Sequence, residues 1–156
     1  MNTIVGVASI VSAAIGAAIS YFITTGRERS QATMTQFSEY HQPDHHAARA
    51  RAARFLDDAE GDVTFNTLWL NPETMGVYED LWRVTYFWFG VLMLDRQKRL
   101  DRRLAAELFS YQYEYWQPRL QRLADATLAE HEGTDDLLPE WVPIMRTDFL
   151  PSLSKR

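Results

Sequence analysis

Residues 4–23 read IVGVASIVSAAIGAAISYFI, twenty positions without a charged side chain. At about 1.5 Å of rise per residue, a helix of this length spans roughly 30 Å, the thickness of a bilayer's hydrocarbon core. Nine of the twenty are large and apolar: Ile4, Val5, Val7, Ile10, Val11, Ile15, Ile19, Phe22 and Ile23. Each contributes roughly −0.3 to −0.6 kcal/mol on an insertion scale, so together about −3 to −5 kcal/mol favours the membrane. Tyr21 falls where an aromatic ring meets the lipid headgroups. The stretch predicts one transmembrane helix, with residues 1–26 as the anchor.

The flanks set processing and direction. A cleaved secretory signal needs a cationic start, a shorter apolar stretch and a small-x-small site. Met1, Asn2 and Thr3 carry no side-chain charge, and Ile19 is followed by Ser20-Tyr21-Phe22-Ile23, so the anchor is expected to stay. No Lys or Arg precedes the run, whereas Arg27 and Arg29 come directly after it and Arg49, Arg51 and Arg54 come later. The positive-inside bias then places the N-terminus outside the inner (plasma) membrane and the body in the cytoplasm. The absence of cysteine agrees with a reducing compartment. Two lysines against fourteen arginines is the bias of a GC-rich bacterial genome.

Small residues in the anchor are ordered. Gly6, Ser9, Ala13, Gly16 and Ser20 recur at spacings of three, four, three and four, a seam along one side of a helix. Val7, Val11, Ile15 and Ile19 make a bulky ridge on another. Lipid tails are as apolar as leucine, so apolar area alone does not draw membrane helices together. Small residues let backbones approach and gain dispersion and weak hydrogen bonds. The seam is therefore a candidate packing face for a second transmembrane helix, in a copy of this chain or in a larger complex.

Beyond the anchor the chain is acidic and aromatic: net charge is −5 over the whole sequence, and aromatics make up 13%. Residues 27–42 read as a juxtamembrane helix or linker, 43–150 as one helical domain and 151–156 as a tail. Pro43 at a first turn opens a helix through the Ala-rich stretch 47–53 to about Asp58. Asn71-Pro72-Glu73 is a second start signal, for a helix reaching about Leu94. Between Leu81 and Leu94 only Arg83, Thr85 and Gly90 interrupt the apolar residues, which predicts the central helix of a bundle. Fourteen residues with an arginine inside are too short for a second span. Asp101 caps a further helix carrying Leu104, Leu108, Tyr111 and Tyr115 on one side, with Phe109, Tyr113 and Trp116 beside them. Pro118 is expected to break or kink it, with another amphipathic set of turns over residues 119–130 through Leu120, Leu123 and Leu128. A last short helix, or two turns, is expected from Pro139 to Leu150. The fold class that results is all-α: one transmembrane helix and then a bundle of four to five helices.

Within this frame, residues 82–122 resemble a group of uncharacterised bacterial membrane proteins with one N-terminal span and a helical cytoplasmic domain. Phe89-Gly90-Val91-Leu92, the basic turn, Leu104, Phe109 and Tyr115-Trp116-Gln117-Pro118-Arg119-Leu120 carry the likeness. It implies the architecture alone.

Few residues suggest chemistry. Without cysteine there is no thiolate catalysis or thiolate metal site. No glycine-rich phosphate loop, nucleophile elbow or His-Glu-x-x-His pattern occurs. Asp57-Asp58 and Asp135-Asp136 pair carboxylates, but in predicted turns. His41, His45 and His46 have metal-ligand character, yet Pro43 opposes one helix face through them. Neither a catalytic residue nor a metal or cofactor is expected. Two basic clusters say more. Arg49, Arg51 and Arg54 lie soon after the anchor, and Arg96, Lys98, Arg99, Arg102 and Arg103 surround a turn. Either can face an anionic leaflet at about 1 kcal/mol per side chain, or be solvated and paired with acids such as Asp95 and Asp101. Nucleic acid is not expected of an acidic, tethered body. Together these features predict a non-enzymatic accessory or scaffold subunit, docked through its seam and touching the cytoplasmic side of a larger complex. The alternative is a surface module binding anionic lipid or a soluble signalling partner through its arginines.

Overall fold

The computed structural model describes the backbone of residues 2–59 and 63–131, and side chains from residue 20 onward within those ranges. Every regular element among them is helical. Five α-helices occur in order: α1 (Asn2–Tyr40), α2 (Pro43–Asp58), α3 (Phe65–Leu70), α4 (Met75–Arg96) and α5 (Arg102–His131). A 3-10 turn, Pro72–Thr74, leads into α4. The chain is all-α, and its body is a helical bundle.

At about 1.5 Å per residue, the 39 residues of α1 extend nearly 60 Å without interruption. The helix thus runs through both the apolar run and residues 27–40. Its far end enters the core: Thr33 and Tyr40 are buried, and the Phe37 ring meets Phe109 edge-on at 5.7 Å. Among the described residues no helix is long and apolar enough to cross a membrane. The side chains of residues 1–19, which include Gly6, Ser9, Ala13 and Gly16, lie outside the described set; Ser20 is exposed.

Helix α4 lies at the centre, packed on α1, α2 and α3. Leu81, Val84, Trp88 and Val91 are fully enclosed, as the apolar run predicts. The enclosure is one-sided, because Tyr86 on the same helix remains 47% exposed. Asn71 caps the 3-10 turn by accepting from the Glu73 N–H at 3.0 Å, so the start signal is used one turn earlier than α4 itself. Helix α3 is not anticipated by the sequence pattern. Six residues are too few to show a period, and what starts it is a reciprocal cap between Thr64 and Thr67.

The break expected at Pro118 does not occur. Helix α5 continues through it for 30 residues. Proline removes the N–H that would reach the Glu114 carbonyl and crowds the preceding turn. Arg119 offsets part of this: its Nη1 donates to the Tyr115 carbonyl at 2.7 Å, and its Nε and Nη2 grip Asp57 of α2 at 3.0 and 2.8 Å. Trp116, Leu120 and Leu123 are buried on either side of the proline, so packing holds the helix where local propensity would end it. The core takes the Phe109, Tyr113 and Trp116 face of α5, leaving Tyr111 76% exposed. The helix expected from Pro139 to Leu150 and the Asp135-Asp136 pair lie outside the described residues.

Candidate functional site

The α4–α5 turn gathers the basic residues, and its backbone explains how. Arg99 N–H donates to the Leu94 carbonyl at 2.8 Å and Lys98 N–H to the Asp95 carbonyl at 2.9 Å, the paired bonds of a Schellman helix end. The position that this motif places in left-handed conformation is Lys98, at φ 57°. Glycine is the usual occupant because it has no Cβ to clash there.

Polar contacts fasten the turn to α1. The Ser30 hydroxyl donates to Asp101 Oδ2 at 2.7 Å, and the Asp101 N–H donates to Thr33 Oγ1 at 3.0 Å. The other carboxylate oxygen caps α5 by accepting from the Leu104 N–H at 3.1 Å. The Ser30 hydroxyl and the Leu104 N–H hold the Asp101 carboxyl below its ordinary pKa. This junction joins residues 71 positions apart, and no sequence period announces it.

Between α1 and the turn lies an open cleft of about 470 Å³, lined by Gly26, Arg29, Asp95, Lys98, Leu100, Asp101 and Arg102. Arg102 holds Asp95 by two bonds, Nε–Oδ1 at 2.6 Å and Nη2–Oδ2 at 3.0 Å, and Arg103 lies 3.6 Å from Glu107. Arg96, Lys98, Arg99, Arg102 and Arg103 are all exposed, as are Arg27 and Arg29 on α1. Of the five predicted basic residues, Lys98 and Arg102 line this cleft together with Arg29, which sequence proximity alone assigns to the anchor's flank, while Arg96, Arg99 and Arg103 do not line it.

The other basic cluster is divided. Arg51 binds Asp80 of α4 bidentately at 2.6 and 2.7 Å, Arg54 is exposed, and Arg49 is buried. Arg49 lies flat against the last residue of α1, its Cζ 3.3 Å from the centre of the Tyr40 ring. Burial pulls its pKa down, against the opposing influence of Tyr40. Burial likewise raises the Tyr40 phenol, while Arg49 and a hydrogen bond from the Trp116 indole draw it back.

The three neighbouring histidines separate as well. His45 is buried beside Tyr40 and Phe87, whereas His41 and His46 are exposed. Among the described residues no three His, Asp or Glu side chains are arranged to hold a metal ion. Three arginines tie helices together: Arg51 to Asp80, Arg119 to Asp57, and Arg122 to the Leu56 carbonyl at the end of α2. Compared with known proteins, the chain matches no family model, no curated protein and no solved structure.

Proposed function

We propose that this chain is a non-enzymatic, single-pass membrane subunit of a larger assembly, its body on the cytoplasmic side of the inner membrane. One observation carries the reading furthest: α1 passes from the apolar run into the buried core at Tyr40 without a break in the helix. A span joined this way fixes the body's height and rotation relative to the bilayer, which a flexible linker does not. The seam of Gly6, Ser9, Ala13, Gly16 and Ser20 is the face offered to a partner helix. Its test is the size of the full chain in mild detergent. We expect an assembly larger than a monomer, and Ala13→Leu with Gly16→Leu weakens it about tenfold by keeping backbones apart. A monomeric parent, or an assembly indifferent to both leucines, would contradict the seam.

The second reading, a surface that binds anionic lipid, is favoured by where the basic turn sits. Ser30, to which Asp101 is bonded, lies seven residues past Ile23, about 10 Å along the helix and within a Debye length of the headgroups. Lysine in a left-handed position also costs about 1 kcal/mol that glycine avoids. Lys98→Gly is thus expected to raise stability by about 1 kcal/mol and to reduce phosphatidylserine enrichment around the chain in nanodiscs about fivefold. Unchanged lipid enrichment would leave the turn as a solvated connection.

A further inference from the structure

Arg49 differs from the other arginines that bridge the helices. Arg51, Arg102 and Arg119 each hold a carboxylate by two bonds. Arg49 is 7% exposed, no carboxylate of the described residues pairs with it, and its Nη1 has no hydrogen-bond partner. Stacking on the Tyr40 ring and a hydrogen bond to its side chain return part of the cost of burying a cation, but neither supplies an opposing charge. Its Nη1 is enclosed, so an anion would reach the guanidinium through the edge that lines the adjoining groove, and what the side chain lacks is a counter-charge.

The space for it is beside the same side chain. A groove of about 230 Å³ runs between α2 and α5, lined by Tyr40 and Arg49 together with His46, Ala50, Ala53, Tyr111, Gln112, Tyr115 and Trp116. The two alanines give it a shallow floor on α2. Tyr111 and Tyr115 on the opposite wall are 76% and 39% exposed. Tyr, Trp and Arg around one recess are the residue types that anchor protein interfaces.

We propose that this groove receives an Asp or Glu side chain from a partner protein, its carboxylate meeting Arg49 and a neighbouring apolar residue lying against the tyrosines. Charge and size select the occupant. A phosphate dianion calls for several cations, and besides Arg49 only His46 in this lining can carry positive charge. Lipid is out of reach, since Tyr40 lies seventeen residues past Ile23, about 25 Å along α1. The proposal names the chemistry of a partner for the subunit role above and rests on that reading for its cellular setting.

The test is a selection of phage-displayed random peptides against the full chain in phosphatidylcholine nanodiscs, which is independent of whether the seam works. We expect enrichment of one acidic position flanked by an apolar residue. The selected peptide loses affinity about tenfold or more when its acid becomes the amide, or when the chain carries Arg49→Gln. Gln112→Glu puts a carboxylate on the facing wall; it blocks the peptide and raises the melting temperature, which keeps the test decisive if Arg49→Gln disturbs folding. Arg54→Gln, exposed on the same helix, leaves binding intact. No acidic consensus, binding indifferent to both groove substitutions, or displacement by millimolar inorganic phosphate would each overturn the proposal.

Discussion

His45 shows how a single side chain reports on the fold around it. Its ring is 5% exposed, 5.9 Å from Tyr40 and 5.2 Å from Phe87, and neither nitrogen has a hydrogen-bond partner. Burial, then the charges of Arg49 and Arg83, lower its pKa from 6.5 to about 4. The folded state therefore resists protonation that the unfolded chain accepts. Full stability is present above pH 6.5 and is lost progressively toward pH 4, by roughly 3 kcal/mol at most. Asp101, whose pKa is depressed, stabilises above the ordinary carboxylate range and loses that contribution only below it, so the window from 6.5 to 4 belongs chiefly to His45. Melting monitored by circular dichroism at pH 7.5 and 4.5 should show this fall, and His45→Phe should flatten it. An equal slope in both proteins would remove His45 as the cause. The sequence shows a histidine cluster and the proline that disrupts it, but not which ring the core takes. That depends on Tyr40 and Phe87, brought alongside by α1 and α4.

Among the elements, legibility depends on how local the deciding forces are. Helix α2 begins at the proline that opens it, and α4 comes after the Asn71-Pro72-Glu73 signal, because capping is settled within four residues. Helix α5 is different. Pro118 is a strong local stop, and it is overridden by the enclosure of Trp116 and Leu120 and by the Arg119 contacts to Tyr115 and Asp57. An interior proline costs about 3 kcal/mol in an isolated helix, and the Arg119 contacts recover only part of that. Pro118→Ala is accordingly expected to stabilise the chain by about 1–3 kcal/mol in urea unfolding. A loss of stability would mean that the proline shape is itself required by the packing. Arg49, Arg51 and Arg54 make the same point for charge. Spacing alone presents them as one patch, while the packing of α2 on α1 and α4 gives them three separate environments.

For the whole molecule, the composition and the 3.6-residue periodicity made the all-α class readable, and the apolar run made the anchor an expectation. What they could not supply is the attachment of the α4–α5 turn to α1, which rests on Ser30, Thr33 and Asp101 meeting across the bundle. That attachment sets Lys98 of the turn and Arg102 at the start of α5 beside Arg29 of α1. The Arg49 groove lies farther along the chain, at the Tyr40 end of α1, away from the Ser30–Asp101 junction. The central claim is that residues 4–23 cross the bilayer while the rest stands on it. Because the chain has no cysteine, single nitroxide labels can be placed one at a time along α1 and at Lys98 in nanodiscs, and their depth read from oxygen and nickel accessibility. Oxygen access should peak near Ala13, nickel access should rise beyond Arg27, and the label at Lys98 should lie at headgroup depth. Nickel access throughout residues 9–20 would contradict the account.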